Sequence, residues 1–129
     1  MLDCGEEGLE YLRLLRAAGC RVSFDDFGTG FSSLGNLRTL PIDGLKIDLS
    51  FVSAMLDGGV DAAVVDAVIR LGAALGLTVV AEGVENAATA ARLMELGCPF
   101  AQGYYFGRPK TVAALAARLA GAPRLPAAA

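Results

Sequence analysis

The chain alternates between stretches with helical periodicity and short apolar runs, and this alternation limits the folds open to it. The apolar runs are Cys20–Phe24, Gly44–Ile47, Leu77–Ala81 and Phe100–Gly103, and apolar residues recur every three or four positions between them. Strands that alternate with helices form parallel sheets with right-handed crossovers. The pattern therefore predicts an α/β fold with the element order α-β-α-β-α-β-α-β-α.

The helical segments carry recognisable start and stop signals. Asn86 and Thr111 are candidate N-caps, and glycines close the earlier helices. A short helical turn is predicted to begin at Ser32, and the last residues, Gly121–Ala129, are predicted to be a disordered tail. The predicted helices are Glu6–Ala18, Asp61–Ala74, Asn86–Leu96 and Thr111–Leu119.

Two architectures fit this order of elements. One is an open, doubly wound sheet, and the other is half of a (β/α)₈ barrel, which takes about 250 residues when complete. The nearly continuous apolar run Leu77–Ala81 predicts a strand that is buried on both faces. The length of 129 residues corresponds to about one domain.

Charge and composition exclude several classes of function. The net charge is −3 and no cluster of Lys and Arg occurs, so a surface for duplex nucleic acid is not expected. The sequence has no histidine and no CxxC pair, which excludes common zinc sites and Ser-His-Asp chemistry. No apolar run approaches the roughly 18 residues of a membrane span. We therefore expect a cytoplasmic protein without membrane contact from this segment.

Polar side chains lie at the end of every predicted strand. The carboxyl ends of parallel strands face one side of the sheet, where the active sites of α/β folds form. Each residue alone has an ordinary explanation, such as a turn, a helix cap or a solvated lysine, but their shared position favours a site. The residues expected to meet there are Asp25, Asp26, Lys46, Asp48, Glu82 and Gln102.

The residue types at these strand ends suit hard metal ions. Carboxylates without histidine or cysteine favour Mg²⁺ or Mn²⁺, and adjacent acids such as Asp25 and Asp26 can bridge two ions or hold one each. Two ions about 3.5–4 Å apart assist phosphoryl transfer. Lys46 could then neutralise a phosphate oxygen or hold a water, and Glu82 could accept the proton of that water. The residues therefore predict metal-assisted hydrolysis of a phosphoester.

Three segments around the strand ends are distinctive, namely DDFGTGFSSLGNLRTLPIDGLKIDLSFV (Asp25–Val52), VVAEGVE (Val79–Glu85) and QGYYFGRP (Gln102–Pro109). In sequence and in order they resemble the motifs of the EAL domain family of cyclic di-GMP-specific phosphodiesterases. The resemblance implies a modified (β/α)₈ barrel, of which residues 1–120 would be the C-terminal half, strands five to eight. It also implies hydrolysis of cyclic di-GMP to linear pGpG with Mg²⁺ or Mn²⁺.

The resemblance implies a role for each matching residue. Asp25 resembles the aspartate that bridges the two metals, and Asp26 resembles its neighbour, a ligand of the second metal. Lys46 resembles the lysine that holds the catalytic water or metal-bound solvent, and Glu82 resembles the glutamate assigned as general base or water-positioning residue. Gln102 resembles the glutamine of the motif on the substrate side. The family loop that couples the metal site to dimerisation corresponds to Phe27, Gly28, Thr29, Gly30, Phe31, Ser32 and Ser33.

The resemblance does not extend to the earlier strands of the family, which carry its Glu-Ala-Leu signature and most ligands of the first metal. We therefore expect the 129 residues alone to be inactive. The half barrel would need a second copy in a homodimer, a complementing N-terminal half, or rearrangement into an open sheet. Two alternatives stay open, namely a non-catalytic scaffold that binds cyclic di-GMP or a protein, and a truncated gene remnant. A response-regulator-like receiver fits less well, because the order and spacing of its acids differ.

Overall fold

The fold is built around a parallel sheet in the order β1-β2-β3-β4. The structure, a computed structural model, describes residues 5–29, 37 and 39–121. Every pair of neighbouring strands is parallel. The strands are β1 (Ser23–Phe27), β2 (Gly44–Ile47), β3 (Thr78–Ala81) and β4 (Phe100–Ala101).

Helices separate β2 from β3 and β3 from β4 along the chain. Asp48 caps α2 by accepting a hydrogen bond from the backbone N–H of Ser50 at 2.9 Å. No helix in the described part of the chain combines the length and the apolar character that crossing a membrane requires. The elements are α1 (Glu6–Ala17), α2 (Leu49–Ala54), a 3₁₀ turn (Met55–Asp57), α3 (Gly59–Leu75), α4 (Ala87–Glu95) and α5 (Val112–Ala120).

Both predicted N-caps are confirmed. The side chain of Asn86 accepts a hydrogen bond from the backbone of Thr89 at 2.8 Å, and Thr111 accepts one from Ala114 at 3.3 Å. Each such cap contributes about 1 kcal/mol by satisfying a donor that the helix leaves unpaired. The helical turn predicted from Ser32 lies outside the described residues, as does the predicted tail beyond Gly121.

The first strand was predicted about three residues too early. Cys20–Phe24 was expected, whereas β1 begins at Ser23 and contains Asp25 and Asp26. Its pairing with β2 shifts register between Phe24 and Phe27, so the two acids lie in an irregular stretch of the strand. Such irregularities change the direction in which side chains point.

The core lies between β2, β3 and the helices. Leu45, Ile47, Val79 and Ala81 are fully or almost fully buried. Residues between them, such as Val80, are only half-buried, so the prediction that Leu77–Ala81 is buried on both faces does not hold among the described residues. One face of the sheet packs on helices, and the other carries the polar side chains.

The strand order decides between the two predicted architectures. The order β1-β2-β3-β4 advances by one strand at each step, and it lacks the reversal that defines a doubly wound sheet. Sequential winding is the arrangement of (β/α) barrels, whose active sites lie at the carboxyl ends of the strands. The described part of the chain is therefore an arc of a barrel.

Candidate functional site

Three acids meet at the carboxyl end of the sheet. One carboxylate oxygen from each of Asp25, Asp26 and Glu82 lies within 4.8 Å of the other two. The two aspartates are exposed and the glutamate is half-buried. We refer to these three residues as the acidic cluster. Their meeting agrees with the prediction from the sequence, although the aspartates lie within β1 and not after it.

Lys46 joins the acidic cluster from β2. Its Nζ lies 2.5 Å from Oε1 of Glu82 and 3.3 Å from Oδ1 of Asp25. The hydrogen bond to Glu82 and, to a smaller extent, that to Asp25 raise the pKa of Lys46 above its ordinary value, against the opposing effect of desolvation. The lysine therefore keeps its positive charge between the two carboxylates at neutral pH.

Gln102 completes the hydrogen bonds of Glu82. Its Nε2 donates to Oε1 of Glu82 at 2.8 Å. The backbone of Gln102 donates to Ala81 at 2.9 Å and accepts from Val84 at 3.0 Å, which extends the pairing of β3 and β4 beyond the strand ends. The glutamate is thus oriented by a lysine on one neighbouring strand and an amide on the other.

The backbone at Asp26 explains how two adjacent acids serve one site. Neighbouring residues of a regular strand point to opposite faces. Asp26 has a φ of +51°, in the left-handed region, which for a residue other than glycine costs roughly 1–3 kcal/mol. Its N–H donates to Oδ1 of Asp25 at 3.0 Å, and its carbonyl accepts from the hydroxyl of Thr29 at 2.9 Å. This turn brings both carboxylates near Glu82.

Asp48 lies beside the acidic cluster and also caps a helix. It begins α2, where hydrogen bonds from the hydroxyl and the backbone N–H of Ser50 lower the pKa of its carboxyl. Its carboxylate is not among the three whose oxygens approach one another within 4.8 Å. Asp48 caps α2, and its carboxylate also lies within hydrogen-bonding reach of the side chain of Asp26.

The predicted loop is described only in its first part. Phe27 ends β1, is buried, and packs edge-to-face on Phe24 with 6.0 Å between ring centroids. It therefore belongs to the core, and the turn begins at Gly28 and Thr29. The remaining predicted loop residues, Gly30, Phe31, Ser32 and Ser33, lie outside the described residues.

A cleft of about 780 Å³ opens beside Glu82 and Gln102. Its basic residues, Arg108, Lys110 and Arg118, were not predicted as site residues from the sequence. Arg108 stacks over the ring of Tyr104, with 4.4 Å from Cζ to the ring centroid. Arg118, from α5, donates to the carbonyl of Phe106 at 2.7 Å. Arg108 does occur in the quoted segment QGYYFGRP, which was the available signal, whereas Lys110 and Arg118 follow it without a recognisable pattern.

The acidic cluster suits a divalent cation. All its donors are carboxylate oxygens, the ligand type that Mg²⁺ and Mn²⁺ prefer. Three carboxylates and the ammonium of Lys46 leave two negative charges in excess, which one divalent ion would neutralise. Two of the acids are exposed, so an ion could reach them without a large desolvation cost.

Comparison with known families agrees with the geometry. The model of the EAL domain family matches residues 4–109. The chain belongs to the EAL domain family. The cyclic di-GMP phosphodiesterase RocR of Pseudomonas aeruginosa is 43% identical over 109 residues, which is 84% of this chain and 28% of RocR.

Solved EAL structures have the same fold. The phosphodiesterase PaMucR in complex with cyclic di-GMP superposes with a TM-score of 0.82 at 44% identity, over 89% of this chain and 46% of that one. BlrP1 of Klebsiella pneumoniae, solved with manganese and cyclic di-GMP, has a TM-score of 0.77 at 37% identity, over 84% and 28%. EAL domains are barrel-like, so the predicted partial barrel is confirmed. The chain spans less than half the length of each of these relatives.

Proposed function

We propose that this chain is the C-terminal half of a phosphodiesterase domain that hydrolyses cyclic di-GMP to linear pGpG. The observation that carries the proposal is the ion-paired arrangement of Lys46 with Asp25 and Glu82 at the strand ends of an EAL fold. Relatives that share this half of the fold include the cyclic di-GMP phosphodiesterases RocR and NbdA, both of Pseudomonas aeruginosa.

In this proposal the two aspartates of the acidic cluster would supply carboxylates to a two-ion site. Asp25, whose oxygen also lies 3.3 Å from Lys46, would hold both ions, and Asp26 would hold the second. Mg²⁺ or Mn²⁺, when bound, neutralises charge on the phosphate and lowers the pKa of a coordinated water. The left-handed turn at Asp26 supports the assignment, because it brings adjacent carboxylates to one location.

Glu82 is the proposed general base. Two donors, Nζ of Lys46 and Nε2 of Gln102, hold one of its oxygens, so the orientation of the carboxylate is fixed before substrate arrives. Lys46 keeps its charge and holds either a phosphate oxygen or the attacking water, and Glu82 takes the proton from that water. Gln102 is the proposed contact on the substrate side.

The cleft beside Glu82 is the proposed place for the rest of the ligand. Its volume of about 780 Å³ is within the range of small-molecule sites. The stacked pair of Arg108 and Tyr104 offers a flat surface to a guanine ring, and Lys110 and Arg118 offer positive charge to phosphates. An acidic protein thus has a locally basic wall where a dianionic ligand would lie.

We further propose that these 129 residues bind ligand but do not turn it over by themselves. The match to PaMucR covers 46% of that chain, and the remaining part of the EAL fold would supply the other ligands and close the barrel. That part would come from a complementing N-terminal half or from a second copy in a homodimer. A cytoplasmic location stays a prediction.

Calorimetry and an assay for pGpG test this proposal on the chain itself. Binding of cyclic di-GMP in the presence of Mn²⁺, weakened in Asp25→Asn, together with no pGpG, is the expected result. Absence of binding at millimolar ligand would overturn the proposed ligand. Formation of pGpG by the isolated chain would overturn the claim that it is half of a site, while supporting the phosphodiesterase function.

A further inference from the structure

Helix α2 touches both turns that follow the acids of the cluster. It begins two residues after β2 ends, so it continues directly from the strand that carries Lys46. Lys46 pairs with Asp25 and Glu82. A few residues later, Leu49 and Phe51 lie against glycines that follow the same acids along the chain. The segment from Lys46 to Phe51 therefore meets the acidic cluster in two ways. Lys46 pairs with the carboxylates, and Leu49 and Phe51 pack against the turns that follow them.

The ring of Phe51 fills the space beside Gly28. This glycine follows Asp26 by two residues and has a φ of +107°. A Cβ built on it would lie 2.8 Å from Cε2 and 3.3 Å from Cζ of Phe51. The ring therefore lies directly against the backbone of the turn, and Phe51 is half-buried against the hydrophobic core. The ring of Phe51 therefore limits where the backbone of the turn at Gly28 can lie.

The start of α2 lies against the second turn in the same way. Gly83, the residue after Glu82, has a φ of +72°, and a Cβ built on it would lie 2.5 Å from Cβ and 3.2 Å from Cα of Leu49. These atoms are held by the helix backbone, although 57% of Leu49 is exposed. The spacing between the two turns is therefore set by a helix segment of three residues.

The turn at Asp26 needs this support. Its left-handed backbone is strained, and the hydrogen bonds from Thr29 that hold it are exposed to water. Exposed hydrogen bonds exchange readily with solvent, so they do not by themselves hold a strained turn in one place. The contact between Gly28 and Phe51 is an apolar one, which solvent does not replace.

We propose that Phe51 is a positioning residue for the acidic cluster, acting through Gly28 to fix the place of Asp26 relative to Glu82. The inference rests on the proposed function, because it takes the cluster to be a metal site. It does not require Phe51 to touch metal or substrate. Removing the ring should loosen the turn and separate the carboxylates while the sheet beneath them stays folded.

Titration with Mn²⁺, followed by the electron paramagnetic resonance signal of the free ion, measures this effect in the folded chain. Phe51→Ala is expected to raise the Kd for Mn²⁺ by about tenfold, the scale seen when residues supporting a metal ligand are lost. Phe51→Leu, which keeps most of the apolar volume, should recover part of the affinity. Val52→Ala is the matched control, because Val52 is the next residue of α2 and is fully buried in the core.

Amide hydrogen exchange at Thr29, without metal, provides the second measurement. Its N–H donates to the carbonyl of Asp26 at 3.2 Å, so its exchange reports directly on the turn. Phe51→Ala should speed this exchange, whereas Val52→Ala should leave it unchanged even where it lowers the Tm. If the wild type binds no Mn²⁺, the proposed metal site fails, and the exchange at Thr29 still decides the role of Phe51. An equal rate in Phe51→Ala and Val52→Ala overturns that role, as does an unchanged Kd in Phe51→Ala.

Discussion

Lys46 and Glu82 face each other across neighbouring strands, with 2.5 Å from Nζ to Oε1 and with 27% and 16% of their side chains exposed. Lys46 is paired in register with Val80, and Glu82 lies two residues further on, hence on the same face of the sheet. The backbone N–H of Glu82 donates to the carbonyl of Ile47 at 3.1 Å. The contact is therefore fixed by the sheet and does not depend on a flexible loop.

The pairing of Lys46 predicts a loss of stability at high pH. Its pKa is raised above 10.5, mainly by the hydrogen bond to Glu82. A raised pKa in the folded state contributes stability that is fully present below the unfolded pKa and is lost as the pH rises through the folded pKa. Lys46→Met should therefore lower the free energy of unfolding by about 1 kcal/mol near pH 8, and by less near pH 11, which lies above the unfolded pKa.

Urea unfolding at both pH values measures this difference. Lys110→Met is the control, since Lys110 is exposed and lies in the cleft instead of between the carboxylates. Equal destabilisation by Lys46→Met at both pH values would show that lost packing, and not the charge, explains the effect.

The pairing of Asp43, at the other end of the sheet, predicts a loss of stability at low pH. Its carboxylate accepts hydrogen bonds from the backbone N–H of Val22 and from Arg16, both at 2.8 Å. The bond from Val22 and then that from Arg16 lower its pKa below 3.8. A lowered pKa contributes stability that is present above the unfolded pKa and lost as the pH falls through the folded pKa. Asp43→Asn should lower the Tm at neutral pH.

The difference in Tm between wild type and Asp43→Asn should shrink as the pH is lowered below 3.8. Differential scanning calorimetry at several pH values follows it. Asp57→Asn, at an exposed position of the 3₁₀ turn, should show little change at any pH. A difference for Asp43→Asn that grows toward acid would contradict the assignment.

The close packing at Gly103 predicts that one added methyl group strongly lowers stability. A Cβ at this position would collide with the backbone of Val84, which accepts from Tyr105 and donates to Gln102, so it has no room to move. Gly103→Ala should lower the free energy of unfolding by about 3 kcal/mol, the upper end for overpacking, and should displace Gln102. Gly97→Ala isolates the backbone cost, because Gly97 has a φ of +76° but open space around it.

Chemical denaturation of the two glycine variants makes the comparison. The cost of a left-handed backbone at Gly97 is roughly 1–2 kcal/mol. If Gly103→Ala lowers the free energy of unfolding by no more than Gly97→Ala does, the close approach of the Gly103 and Val84 backbones is not what requires glycine at residue 103.

Much of the site was predictable because its residues lie at the ends of parallel strands. The alternation of patterns predicted the order of helices and strands along the chain but left the strand order within the sheet open. Because the carboxyl ends of parallel strands face one side of the sheet, Asp25, Lys46 and Glu82 were expected to lie together. The N-caps Asn86 and Thr111 were also readable, because capping depends on local sequence. The residue types alone predicted only metal-assisted hydrolysis of a phosphoester. The family resemblance added the identity of the substrate, cyclic di-GMP.

The remaining features depend on contacts that are distant in sequence. The strand β1 was placed too early, because Asp25 and Asp26 have low strand propensity. They belong to the strand because their neighbours Phe24 and Phe27 pair with β2 on either side of a register shift. Helix α2 was missed, since it has only six residues and depends on its cap, Asp48. The cleft could not be predicted because α5 contributes Arg118 only after the chain has folded back.

Turnover of cyclic di-GMP by a chimeric domain tests the central claim most directly. Residues 5–121 would replace the matching part of the EAL domain of MucR from Pseudomonas aeruginosa, which is 44% identical over 115 residues. With Mn²⁺, the account predicts formation of pGpG, a loss of about 100-fold or more in Glu82→Gln, and no loss in Glu95→Gln, a surface variant on α4. A folded chimera that binds cyclic di-GMP without hydrolysing it would contradict the account, and so would full activity in Glu82→Gln.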